Sequence, residues 1–194
     1  MNGWNDEHAI AYDKEWGELA FHTQIPELAK VSDGMHILEV GCGGGFLSIC
    51  LAQAGHDVQV TALDPTAKMI ALTKARQQAV DLPESRLKFI QSGAENLKAE
   101  PDTFDLVVAA FSVHHFQDPT LALSLIHHTM KSGARVWLCE DLNTPYQGDL
   151  TVDTSLKAFA GLKSLLENTG FKAISQRQFE SEEGQFLLVE AHKP

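Results

Sequence analysis

Residues 35 to 46 read Met-His-Ile-Leu-Glu-Val-Gly-Cys-Gly-Gly-Gly-Phe, an apolar block that meets a run of glycines and then continues as FLSICLAQAG. The block Met35 to Val40 has the composition of a buried strand, and the segment from Phe46 reads as a helix closed by Gly55. Glycines between a strand and a helix let the backbone pass close to a ligand and aim the helix N-terminus at it. The stretch therefore marks a cofactor cradle, and it sets the pattern for the rest of the chain.

Working outward, strand-type blocks alternate with helical stretches, the signature of an α/β domain with a mainly parallel sheet. A second strand covers Val58 to Leu63 and is ended by Asp64-Pro65. Thr66 to Val80 is expected to be a helix, with Met69, Ile70, Leu72, Thr73 and Ala75 toward one face. A third strand fits Leu87 to Gln91. Phe104 to Phe111 is apolar almost throughout, as a central parallel strand is. A helix is predicted from about Pro119 to Lys131, broken by Ser132-Gly133, and a fifth strand over ARVWLCED ends on Glu140 and Asp141. A polar connection from Leu142 to Asp153 precedes one helix over 154–170. The tail, Phe171 to Lys193, reads as two strands separated by ESEEGQ. Residues 1–33 are read as mostly helical, with apolar positions at Ile10, Trp16, Leu19, Ala20 and Ile25, and serve either as a lid over a ligand or as plain packing. A single domain over 1–194 is expected, since no linker or repeat divides the chain.

A dinucleotide site wants G-x-G-x-x-G, with the last glycine allowing close helix contact. Here the sixth position is Phe46, and Glu39 before the loop is foreign to that pattern. The run Glu39-Val40-Gly41-Cys42-Gly43-Gly44-Gly45 instead resembles the first motif of class I S-adenosylmethionine-dependent methyltransferases. Asp64, about 20 residues beyond the glycines, stands where an acid can accept hydrogen bonds from both ribose hydroxyls. Asp64-Pro65-Thr66-Ala67-Lys68-Met69 resembles the second signature of that family, Ser92-Gly93-Ala94-Glu95 the segment bordering adenine, and FDLVVAAFSVHHF the fourth-strand motif. Tyr12 and Trp16 in AYDKEW resemble the tyrosine-bearing N-terminal helix that covers the cofactor's methionine end.

The resemblance implies a Rossmann-like doubly wound seven-stranded sheet, mostly parallel with a C-terminal antiparallel hairpin and helices on both faces. It implies S-adenosyl-L-methionine as cofactor, held by Tyr12, Glu39, Gly41, Cys42, Gly43, Gly45, Asp64, Pro65, Met69, Gly93, Ala94, Glu95, Ala110, Phe111 and His115. One departure is Gly93, where many relatives carry an adenine-binding aspartate. Adenine recognition is then expected from the backbone of Ala94 and Glu95 or from the Glu95 side chain.

Methyl transfer from a sulfonium is an in-line displacement that mainly needs the acceptor held in place, and no catalytic residue is strictly required. A base helps when a hydroxyl must lose its proton, and His115, just after the fourth strand, is the candidate, with anchoring of the loop as the alternative role. No metal site is expected: His114 and His115 are neighbours whose side chains diverge, His127 and His128 lie inside a helix, and Cys139 has no second cysteine at ligand spacing. Cys42 reads as a small loop residue.

The chain has 194 residues, with 15 Lys and Arg against 26 Asp and Glu, a formal net charge of −11. Such a chain repels phosphate, which disfavours nucleic acid and acidic membranes as partners. Residues 1–30 hold Asp6, Glu7, Asp13, Glu15, Glu18 and Glu27 against Lys14 and Lys30, and Glu140 to Asp153 contains four acids and no Lys or Arg. If these acids rim the substrate site, the acceptor is a small molecule, neutral or cationic. Three cysteines without pairing pattern, no signal-like N-terminus and no spanning apolar run suit the cytoplasm. The short segment after the fifth strand leaves the site open or completed by a second copy in a homodimer. Two alternatives stand beside the enzyme: a non-catalytic S-adenosylmethionine-binding protein and an NAD-dependent oxidoreductase.

Overall fold

The computed structural model describes residues 3–142 and 153–194, which pack as two compact units, one up to Gly93 and one from Ala94 onward. The first unit begins with α1 (Asp6–Trp16), a 3-10 turn over Ala20–Gln24 and α2 (Ile25–Leu28), then runs β1 (His36–Val40), α3 (Phe46–Gln53), β2 (Gln59–Asp64), α4 (Ala67–Ala79) and β3 (Leu87–Gln91). The strands are parallel in the order β3-β2-β1, and the register sets Val40 beside Leu63 and Asp64 beside Gln91. Their carboxyl ends are thereby level, which is where open α/β sheets place their ligands. α3 is buried on most sides, with Leu47, Ser48, Ile49, Leu51 and Ala52 all shielded from water. α1 starts at Asn5, whose side chain accepts from His8 N at 2.8 Å, and it buries Ala9 while leaving Ile10 outside.

The second unit carries β4 (Phe104–Ala110), α5 (Pro119–Thr129), β5 (Met130–Asp141), α6 (Phe159–Asn168), β6 (Lys172–Ser181) and β7 (Gly184–His192), in the strand order β4-β5-β7-β6. β4 and β5 are parallel, while β7 is antiparallel to both β5 and β6. The fold is thus a seven-stranded mixed sheet, mostly parallel in its first five strands, with the expected C-terminal hairpin.

Two expected boundaries are corrected. Ser132-Gly133 does not stop a helix: α5 ends at Thr129, and the pair lies inside β5, where Gly133 has φ +78°. Between β4 and β5 the register jumps from Phe104 opposite Met130 to Leu106 opposite Arg135, so the glycine marks a bulge that absorbs surplus residues. The single helix expected over 154–170 is broken at Ala158, which is extended at φ −118° and ψ 146°. A 3-10 turn, Thr154–Lys157, precedes it and folds onto α6 so closely that a Cβ at Gly161 would stand 2.2 Å from Ser155 O. The polar connection read from Leu142 to Asp153 lies, apart from its two ends, outside the described residues.

Glu39 is an acid in a hydrophobic strand. It is only 2% exposed, and its Oε2 accepts from Ser48 Oγ of α3, fastening the helix to β1. Burial pushes its pKa from 4.5 to about 8, with Asp64 adding to the rise and the Ser48 bond opposing it. Between those two values the folded chain keeps a proton that the unfolded chain has released, so stability falls as pH rises through the window. Glu39→Gln is expected to flatten that fall, narrowing the difference in urea-unfolding free energy between pH 5 and pH 8 by on the order of 1 kcal/mol or more. An unchanged difference would mean that Glu39 is ionised in the fold.

Candidate functional site

The loop after β1 is built on left-handed residues: Gly41, Gly43 and Gly45 have φ of 77°, 50° and 81°. A side chain is strained at each. The amides of Gly41 and Cys42 both donate to Leu63 O, at 2.8 and 3.0 Å, so the loop hangs from the end of β2. The surroundings of each glycine differ. A Cβ on Gly45 would stand 2.1 Å from Thr73 Cγ2, and one on Gly44 would stand 1.8 Å from Asp13 Oδ1 and 2.1 Å from Arg76 Nη1. A Cβ on Gly43 would meet nothing within 4 Å. Two of the glycines make room for the protein itself, and Gly43 alone of the three turns its bare face to open space.

Asp64 sits beside that face. Its Oδ2 accepts from Gly43 N at 3.1 Å and its Oδ1 from Thr66 N at 2.8 Å, and the residue is 8% exposed. Burial raises its pKa, and the bonds from the backbone of Thr66 and Gly43 and from the Thr66 side chain oppose the rise. A carboxylate offers about four lone-pair sites, so beside these bonds it can still accept from a hydroxyl. Pro65 comes next, half-buried, and Met69 is buried in the first turns of α4. The N-terminal segment lies along this stretch: Trp4 N donates to Thr66 Oγ1 at 3.1 Å, and the Trp4 ring packs edge-on against Tyr12 at 4.6 Å. Sequence reading singles out Tyr12, while no local pattern distinguishes the Trp4 that packs on it.

In the second unit Ala94 is buried and opens a 3-10 turn, Ala94–Asn96. Glu95 is engaged by the chain itself, since its Oε1 accepts from Gln117 N at 2.7 Å. Burial raises its pKa, but the backbone bonds outweigh burial and hold the group low. Beyond Ala110, Phe111 has φ 56°, a costly conformation for a bulky residue, held by its amide bond to Cys139 O at 2.8 Å and by a ring contact with Phe186 at 5.5 Å. The chain then turns through Val113–His115.

Here the side chain joined to a carboxylate is His114: its Nδ1 lies 2.5 Å from Glu140 Oε2, with Glu140 wholly buried. Glu140 Oε1 has no hydrogen-bond partner among the described residues. Burial pushes the Glu140 carboxyl up against the opposing pull of His114 and Lys157. His115, its ring 4.1 Å from that of His114, has its pKa pushed down to about 3, first by burial, then by His114 and Lys157. It is neutral at physiological pH and a weak base. The β4–β5 register sets Ala110 beside Cys139, which brings the ends of the two strands, and with them His114 and Glu140, together. The Cys42 thiol is pushed up by burial, as a small packing residue is. His127 packs its ring edge-on to Phe171 at 4.9 Å. Among the described residues no helix is long and apolar enough to cross a membrane.

Residues 38–138, just over half of the chain, match the methyltransferase domain family. A ubiquinone biosynthesis O-methyltransferase of Leptothrix cholodnii is 35% identical over 107 residues, which span 55% of this chain and 44% of that protein. An uncharacterized methyltransferase of Synechocystis is 26% identical over 191 residues, 91% of this chain and 85% of its own. The chain thus spans under half the length of the first of these relatives and most of the second. Among solved structures, a SAM-dependent methyltransferase from Aquifex aeolicus superposes with TM-score 0.76 at 19% identity, over 98% of this chain and 100% of that one. The [4+2]-cyclase SpnF does so with TM-score 0.75 at 18% identity, over 90% and 80%. At these identities the structures speak for the fold alone. With its glycine loop, its acid at the end of β2 and its family match, the chain belongs to the class I S-adenosylmethionine-dependent methyltransferases.

Proposed function

We propose that this chain transfers the methyl group of S-adenosylmethionine to an oxygen of a small acceptor, neutral or cationic, and not to nucleic acid. The observation that supports cofactor binding most directly is the open face of Gly43 beside the Asp64 carboxylate, a cradle that a Cβ would fill. In this reading the loop from Gly41 to Gly45 carries the cofactor, Asp64 accepts from its ribose hydroxyls, and Tyr12, Pro65 and Met69 line the same unit. Oxygen as the acceptor atom is supported by the relative named as an O-methyltransferase. The net charge of −11 supports an acceptor without phosphate.

When bound, the cofactor supplies an electrophilic sulfonium methyl and departs as a neutral thioether. The chain's own task is to hold the acceptor in line and to take the hydroxyl proton. His114 suits that task better than His115, because Glu140 can offset the charge that an imidazole gains with the proton, while His115 resists protonation. A second reading, cofactor binding without methyl transfer, draws on the presence of a cyclase among proteins of this fold.

Calorimetry with S-adenosylhomocysteine and NAD, then transfer of tritiated methyl to a panel of phenols and catechols with tRNA as comparison, tests the proposal. Binding of S-adenosylhomocysteine alone and labelling of a phenolic oxygen are expected. Labelling of tRNA would overturn the acceptor class, and binding without any labelling would favour the second reading. Asp64→Asn, which sets its amide NH2 against one of the two backbone N–H donors, is expected to weaken S-adenosylhomocysteine binding by about tenfold or more.

With an acceptor in hand, His114→Ala and Glu140→Gln are expected to lower kcat by about 100-fold, and His115→Ala to leave most of it. The reverse order would return the base to His115.

A further inference from the structure

The glycine loop and α1 are joined by one guanidinium. Arg76 of α4 donates through Nη1 to Gly44 O at 2.6 Å and to Asp13 Oδ1 at 2.7 Å, and through Nη2 to Asp13 Oδ2 at 3.0 Å. Its Nε donates to Glu18 Oε1 at 3.0 Å. The Asp13 and Arg76 side chains are 10% and 21% exposed, whereas Glu18 is 59% exposed, so the inner pair is the one shielded from water. Three residues earlier on the same helix face, Thr73 Oγ1 lies 3.0 Å from Gly43 O and 2.8 Å from Met69 O, two carbonyls that share its one proton. α4 therefore grips two successive loop carbonyls. A trans peptide holds its C=O and N–H opposed, so drawing the Gly43 carbonyl to Thr73 turns the Gly44 amide away from α4. Drawing the Gly44 carbonyl to Arg76 likewise turns the Gly45 amide to Cys42 O, which it meets at 2.9 Å.

We propose that Arg76 is a positioning residue for the cofactor: with Asp13 it fixes the peptide planes of the glycine loop and docks α1 onto them, so that cofactor affinity depends on a pair that acts through the loop. This rests on the cofactor reading above. It also accounts for Gly44, whose missing Cβ is the space that Asp13 and Arg76 occupy. α1 is then coupled to the cofactor by a charge-assisted contact with the loop itself, rather than laid over it as an independent lid.

The test is a double-mutant cycle of Asp13→Asn and Arg76→Gln. It is read by S-adenosylhomocysteine calorimetry, by thermal melting, and by amide exchange of residues 41–45 in the ligand-free chain. Each single variant is expected to weaken binding about tenfold, because Arg76→Gln removes the charge-assisted bond to the loop and Asp13→Asn removes the charge that aims it. The double variant should be little worse than either, since the two residues act as one unit. Loop amides should exchange faster before any ligand is added. Glu18→Gln should stay within about twofold of wild type, as an exposed pair does. Gly44→Ala keeps every charge yet displaces the pair, and should reproduce the loss; it and Asp13→Asn carry the test if Arg76→Gln fails to fold. Lower melting temperatures with wild-type affinity and wild-type loop exchange would reduce the pair to a staple for α1 and overturn the proposal. A wild-type chain that does not bind S-adenosylhomocysteine would instead overturn the cofactor reading, a result visible before any variant is made.

Discussion

The first unit is organised around one buried carboxylate. Asp64 ends β2, and its two oxygens each take a backbone N–H from a different segment: Gly43 in the loop after β1 and Thr66 at the start of α4. A carboxylate removed from water is expensive unless its lone pairs are satisfied, so these two bonds are conditions of the fold as much as consequences of it. They also set how α4 meets the loop. Because α4 begins at Thr66, its next two turns bring Thr73 and Arg76 to the loop, and because the loop is drawn to Asp64, its carbonyls face that helix. A residue that sequence reading selects for ribose recognition is therefore first a structural tie, and the lone pairs it has left are those a ligand would use.

The glycine signature divides in the same way. As a pattern, the glycines of residues 41–45 look equivalent, each a permit for close backbone approach. In the structure Gly45 yields to Thr73, Gly44 yields to Asp13 and Arg76, and Gly43 faces open space. The motif therefore records two constraints at once, a cradle and the packing that holds the cradle's shape. Substitutions within it should differ in kind: at Gly44 and Gly45 a side chain collides with the protein, whereas at Gly43 it enters the space a ligand would take.

The strands and helices were legible because hydrophobic period and glycine punctuation are local signals, and the cofactor loop was legible because its residue types are. The misread boundaries share a cause. Gly133 reads as helix punctuation, but a glycine with positive φ serves a bulge equally well; Ala158 reads as helix interior, and a break at an ordinary alanine leaves no mark in composition. Pairings over long separations were not legible at all: Arg76 meets Asp13 across 63 positions, and His114 meets Glu140 across 26. The left-handed Phe111 could not be anticipated either, since a bulky residue is the last expected there. In the sequence His114 and His115 look alike, and only burial and partners separate them.

Charge is where the structure changes the functional argument most. The formal −11 counts every acid alike. Yet Glu39 stays protonated up to about pH 8, Asp64 and Glu140 are buried, and Asp13 and Glu18 face Arg76. Of the N-terminal acids read as a substrate rim, Asp6 and Glu7 occupy the first turn of α1, where the helix dipole alone favours them. Glu27 lies in the first turn of α2, and Glu15 is left as an exposed acid without such a reason. A global negative field still opposes phosphate-rich acceptors at low salt, but it is long-ranged and weakly selective. Binding a cation would call for acids gathered at one place and directed at the ligand. The acids of this unit that are most sheltered from water are already committed to holding its fold, which supports the neutral half of the proposed acceptor class. An uncharged hydroxyl compound agrees with both the net charge and the local engagement of the acids.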